Sequence, residues 1–299
     1  MTLPNFLIIG AAKAGTTALH YYLRQHRQIF MPQNKEPGFF AYQGRLPAFA
    51  GPGDDQAFPY LVLNMPHYQQ LFAESTFAIA RGEASTAYLY HPQAAERILR
   101  TIPNIKLITI LRHPVERAYS SYLQMMRDGR EPLADFGEAL RAEPQRISAG
   151  WNQIWHYREM GYYGRQLKRY FDRFPRTQVQ VFLYEEFQKQ PRRILEMIFQ
   201  FLGVNEKDIS DIEAQMNVSG IPKYKSLYGI FVNQHPFRAF LRGFVPYEIR
   251  KFLNHKLAHW PLTKPSLSPE IRQQLMADFR DDLLELQTLL EHDLTTWLT

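Results

Sequence analysis

The segment Phe6-Leu7-Ile8-Ile9-Gly10-Ala11-Ala12-Lys13-Ala14-Gly15-Thr16-Thr17-Ala18-Leu19 restricts the folds open to this chain more than any other. Its run of large apolar residues suits a buried strand, and Gly10 and Gly15 permit a tight turn with close backbone approach. Thr16 and Thr17 stand where a helix would begin, so strand, loop and helix are predicted in succession. The free N–H groups of the helix start would then face a phosphate or sulfate. The glycine spacing is that of a P-loop, but Thr16 takes the place of the P-loop lysine and Lys13 stands three residues earlier. The charge that would reach a phosphate lies on the opposite arm of the loop.

The same order recurs at 105–111, the clearest strand signal in the chain, which feeds Arg112-His113-Pro114 and a helix of about fourteen residues. Further strands are expected at 79–86 and 178–183. Helices are expected over 17–26, 66–72, 92–101, 154–174 and 191–202, and from Ser268-Pro269-Glu270 towards Trp297. Residues 43–60, rich in Gly, Pro and Asp, read as a surface excursion that could form a flap, and 217–226 as a polar loop. Alternating strands and helices predict an α/β fold: a P-loop-like three-layer α/β/α arrangement with a central parallel sheet and a helical C-terminal part. Ligands of such sheets gather at the carboxyl ends of the strands, where Arg112 and Ser120 fall. No linker divides the chain, so a single domain over 1–299 is expected, with a core over 1–215 and the late loop and closing helices over 216–299.

Composition narrows the chemistry. A formal net charge of +6 favours an anionic ligand, while the absence of any block of basic residues argues against a nucleic-acid arm. Cysteine is absent, which removes disulfides, thiolate metal sites and cysteine nucleophiles and fits a cytoplasmic location. No stretch approaches the ~18 apolar residues of a transmembrane segment. His255 and His259 share helical spacing, but Lys256 stands where a zincin would need glutamate, and no metal is expected. The aromatic cluster Trp151, Trp155, Tyr157, Tyr162 and Tyr163 could line a pocket or form core.

Three ordered motifs carry a resemblance. They are the loop Gly10 to Leu19 with its displaced lysine, Lys35-Glu36-Pro37-Gly38-Phe39-Phe40, and Arg112-His113-Pro114-Val115-Glu116-Arg117-Ala118-Tyr119-Ser120. Together they resemble sulfotransferases that use 3′-phosphoadenosine 5′-phosphosulfate (PAPS), in the bacterial branch similar to heparan-sulfate sulfotransferase domains. Glu83-Ala84-Ser85-Thr86 and Asn217 to Lys225 resemble two further motifs of that family, although the late loop lacks the Arg-Lys-Gly run of the cytosolic branch.

The resemblance implies a role for each match. Lys13, Ala14, Gly15, Thr16, Thr17 and Ala18 would hold the 5′-phosphosulfate, with Lys13 stabilising the leaving oxygen. Arg112 and Ser120 would grip the 3′-phosphate, and Lys223, Tyr224 and Lys225 would close over the nucleotide. Glu36 would be the general base, although a histidine serves in the cytosolic branch. Lys35, Glu83 and Ser85 would meet the acceptor, a saccharide or small-molecule hydroxyl or amine. The donor product would be adenosine 3′,5′-bisphosphate (PAP). The alternatives are an atypical P-loop kinase or NTPase and a non-catalytic nucleotide-binding module.

Overall fold

The computed structural model describes residues 2–45, 47–54, 60–205, 221–222, 262–263 and 266–298. Its central sheet has five parallel strands: β1 (Phe6–Gly10), β2 (Ile29–Phe30), β3 (Ala80–Ala84), β4 (Lys106–Leu111) and β5 (Val179–Leu183), in the order β2-β3-β1-β4-β5. β1 takes the centre because Phe6, Leu7, Ile8 and Ile9 are all fully buried, as a strand covered on both faces must be. Leu7 pairs in register with Glu83 on one side and Leu107 on the other. Gly82 permits this approach, since a Cβ there would lie 2.4 Å from the Phe6 ring. The chain leaves β1 towards one sheet edge and β4 towards the other, so a crevice opens at their carboxyl ends.

The helices are α1 (Thr16–Arg24), α2 (Phe39–Tyr42), α3 (Met65–Gln70), α4 (Ala87–Tyr90), α5 (Ala94–Thr101), α6 (Pro114–Arg127), α7 (Phe136–Ser148), α8 (Tyr163–Phe171), α9 (Tyr184–Lys189), α10 (Pro191–Leu202) and α11 (Pro269–Leu290). Proline opens α6, α10 and α11, and Gly203 closes α10 at φ 78°. The long α11 buries Leu275, Phe279, Leu283 and Leu286 in the same core as the sheet. It also caps α8, because the Asp282 carboxylate accepts the N–H groups of Gly164 (2.8 Å) and Arg165 (3.0 Å). None of the helices among the described residues is long and apolar enough to cross a membrane.

The helix expected over 154–174 is corrected. Two short 3-10 turns, Gln153–Trp155 and Glu159–Gly161, precede α8. The N–H groups of Arg158 and Glu159, which a helix would satisfy internally, donate instead to the buried Glu143 carboxylate at 2.8–3.1 Å. Trp155, Tyr157 and Tyr163 consequently enter the core, and Trp151 stays partly exposed. The described part of the 43–60 excursion is pinned by buried Asp54, which accepts from Arg130, the N–H of Asn152 and the indole of Trp155. β2 is too short to show in the sequence, and α7, with Pro144 inside it, has no counterpart among the expected helices. β6 (Ile221–Pro222) pairs antiparallel with β7 (Leu262–Thr263). Lys223, Tyr224, Lys225, His255 and His259 lie outside the described residues.

Candidate active site

A cavity of about 400 Å³ occupies the crevice at the ends of β1 and β4. Of the residues expected in a site, Lys13, Gly15, Thr16, Thr17, Ala18, Lys35, Glu36 and Arg112 line it. Ala14, Glu83, Ser85 and Ser120 do not; all four are buried behind its surface.

The opening loop forms one wall. Gly15 sits at φ 87° with its Cα against the Tyr184 ring, 3.0 Å from where a Cβ would be, so glycine is required there both sterically and conformationally. No side chain caps α1, and the N–H groups of its first turn face the cavity without intrahelical partners. Lys13 completes this wall. Burial first, and then the positive charges of Arg127, Arg112 and Lys35, lower its ammonium pKa from 10.5 to about 8, with Asp128 partly opposing them. Such a crowd of cations disfavours its own charge and is relieved by an anion.

Arg112 extends from the end of β4. Its guanidinium lies 5.0 Å over the Tyr184 ring and donates to the Lys13 carbonyl at 3.2 Å, which ties the two strand ends together. Among the described residues its nearest carboxylate, Glu116, is at 4.0 Å and is engaged by Arg272, so the Arg112 charge remains available to a ligand. Ser120 lies two turns into α6, one turn before the cavity-lining Gln124.

The opposite wall is the loop 35–38. Its Glu36 carboxylate accepts from Lys35 Nζ (2.7 Å), from Thr86 N–H (2.7 Å) and from the Thr86 hydroxyl (3.1 and 3.3 Å). Three donors serve about four lone-pair positions, which leaves room for one proton donor from the cavity. Behind it the Gly38 N–H donates to Ser85 Oγ at 3.0 Å, and Ser85 donates to Glu83 at 2.8 Å. Glu83 also accepts from Tyr88 (2.6 Å) and Tyr68 (3.2 Å). Burial pushes the Glu83 carboxyl up to about 7, against the hydrogen bonds of Tyr88, Ser85 and Tyr68. Glu83 and Ser85 thus brace the Glu36 loop from inside the core.

Lys13 and Glu36 share one further property. Among the described residues only three non-glycine residues have positive φ, and these two, at 66° and 64°, are among them. Holding a non-glycine residue in this left-handed backbone conformation costs about 1–2 kcal/mol each, a strain that tends to concentrate where function requires a side chain at a fixed place.

Sequence reasoning missed Thr86, Tyr184, Arg127 and Arg130, all on the cavity wall. Thr86 follows the Glu83-Ala84-Ser85 motif directly, and Tyr184 follows β5, so the rule of strand carboxyl ends could have found both. Arg127 and Arg130 reach the cavity from the far end of α6, and nothing in their local sequence announces it.

A family model described as Sulfotransferase family matches residues 4–208. The membrane-associated sulfotransferase kil1 of Dictyostelium discoideum is 33% identical over 141 residues, 46% of this chain and 26% of that protein. Bifunctional heparan sulfate N-deacetylase/N-sulfotransferase 1 of Caenorhabditis briggsae is 30% identical over 212 residues, 69% of this chain and 23% of that protein. The chain thus spans about a quarter of the length of these curated relatives. The crystal structure of a sulfotransferase from Alicyclobacillus acidocaldarius is similar over 100% of both chains, with 33% identity and a TM-score of 0.78. With a family match across most of its length and this likeness of the whole fold, the chain belongs to the PAPS-dependent sulfotransferase family.

Proposed function

We propose that this chain transfers a sulfuryl group from PAPS to a hydroxyl or amine of a saccharide or small-molecule acceptor. The observation that carries this reading is the single cavity in which Lys13, the start of α1 and Arg112 face the Glu36 carboxylate. The 5′-phosphosulfate lies on the N–H groups of Gly15 to Ala18 with Thr16 and Thr17, and the 3′-phosphate meets Arg112 and Ser120. The family resemblance assigns Lys223, Tyr224 and Lys225 to the nucleotide, and Lys35 contacts the transferring sulfate.

In the transfer, the acceptor's oxygen or nitrogen forms a bond to sulfur while its proton passes to Glu36. The bond from sulfur to the 5′-phosphate oxygen breaks in line, and its electron pair leaves on that oxygen, where the Lys13 ammonium stabilises it. No step requires a metal ion. A saccharide acceptor is supported by relatives described as heparan sulfate N-sulfotransferases. The absence of cysteine from the chain supports a cytoplasmic enzyme, and the core shared by α11 and the sheet supports a single domain.

Glu36→Gln should slow transfer by roughly 10²–10⁴ and leave PAP affinity nearly unchanged. A fully active Glu36→Gln variant would refute the base assignment. Magnesium-dependent ATP turnover would point to phosphoryl transfer instead.

A further inference from the structure

A second cavity of about 360 Å³ adjoins the first, and Tyr42 and Gln153 line both. At about 400 Å³ the first cavity lies near the lower end of single-ligand pockets, so a bound nucleotide leaves little space in it for an acceptor's body. The second cavity supplies that space across one shared wall. Rings line it: Phe49, packed edge-on to Tyr42 at 5.8 Å, and Tyr90 and Trp151. His156 ties Tyr90 and Trp151 together. Its Nε2 lies 3.2 Å from the Trp151 carbonyl and must donate to it, so its Nδ1 accepts the Tyr90 hydroxyl at 2.8 Å.

Among the described residues the charges of this cavity have one sign: Arg45 and Arg97 line it and no carboxylate does. Arg97 is held rigidly by the carbonyls of Phe40 (3.1 Å) and Ala41 (2.7 Å) and by the Gln93 side chain, none of which neutralises it. Arg45 is exposed at the rim and has no carboxylate partner among the described residues. The effect is felt nearby, since His91 is pushed down to about 4 by burial and then by the Arg97 charge, and is neutral at working pH.

We propose that this second cavity is the acceptor subsite, built for a six-membered ring bearing an acidic substituent. Tyr42 and Gln153 pass the ring's nucleophilic group through to Glu36, and Arg45 and Arg97 hold its acid. An aryl acid and a uronic acid share the chemistry that fits these walls. This rests on the donor assignment proposed above.

The test titrates the protein calorimetrically, first with PAP and then, at saturating PAP, with two matched pairs of probes. These are 4-hydroxybenzoate against phenol and glucuronate against glucose. At least one acid should bind about tenfold or more tightly than its neutral counterpart, the difference expected of a charge-assisted hydrogen bond. The pair that shows the preference identifies the ring. Arg45→Ala should reduce the preference without changing PAP affinity, and Trp151→Ala should weaken acid and neutral rings alike. Equal binding of acid and neutral probes, no binding of any probe, or a preference unchanged by Arg45→Ala would each overturn the proposal. Failure of PAP to bind would instead remove the donor assignment, and this inference with it.

Discussion

The cation cluster around Lys13 makes nucleotide binding a proton-linked event. In the free protein the Lys13 ammonium has its pKa lowered to about 8 by burial and by Arg127, Arg112 and Lys35, with Asp128 opposing. A bound phosphosulfate or phosphate supplies the missing negative charge and returns the pKa towards its ordinary 10.5. The sign follows directly. The bound state holds its proton more tightly, so the Lys13 contribution to affinity is complete below pH ~8 and is lost progressively as pH rises from there through about 10.5. Between about pH 7 and 9.5, PAP affinity should fall roughly 30-fold, about 2 kcal/mol at ~1.36 kcal/mol per unit. Calorimetry at about pH 8 in buffers of different ionisation enthalpy should show uptake of close to half a proton per PAP bound. The window lies above the second ionisation of the phosphates, near 6, which therefore contributes little. Lys13→Met isolates the effect, since it should bind PAP more weakly at pH 7 and show almost no dependence up to 9.5. A flat wild-type profile, or a Lys13→Met profile parallel to the wild type, would show that Lys13 does not meet the nucleotide's charge.

Arg112→Ala should weaken PAP by ~1.5–3 kcal/mol while leaving AMP nearly unaffected, as for loss of a hydrogen bond to a charged group; thermal shifts with both nucleotides test this. The positive φ of Lys13 separates two glycine-scale effects. Lys13→Gly should be more stable than Lys13→Ala by about 1 kcal/mol in denaturant melts, with both variants inactive, because only glycine relieves the left-handed backbone. His20 and His156 are buried and lowered from 6.5 to about 4, chiefly by burial. The folded state binds fewer protons there than the unfolded chain, so stability is complete above pH ~6.5 and falls as pH drops towards 4, on the order of 1–3 kcal/mol per residue. His20→Gln and His156→Gln should each flatten that decline in urea titrations across the same range.

Much of the site was legible because its parts are local. The loop Gly10 to Thr17, the pair Lys35-Glu36 and the step from β4 into Arg112 are each written within a few consecutive residues, since a strand end, a tight turn and a helix start need particular residue types at fixed offsets. The helix expected over 154–174 failed for the opposite reason. Its backbone N–H groups are taken by Glu143, a residue on another element whose proximity no periodicity encodes. Glu83 and Ser85 were placed in the right neighbourhood but on the wrong side of the wall. Their chain position puts them at the end of β3, but whether a side chain there faces the cavity or the core depends on Tyr68, Tyr88 and Gly38.

The sequence by itself determined the parallel α/β order, the glycine-bounded loop with its displaced lysine, and the identity of the charged residues that lead into the cavity. These depend on backbone propensity and residue spacing, which act over a few residues. Only the tertiary structure decided that Lys13 would be crowded by Arg127, that Thr86 would hold Glu36, and that an aromatic, cationic chamber would stand next to the first cavity. Each of those depends on side chains far apart in sequence meeting where water is excluded, and there burial sets the cost of every unpaired charge.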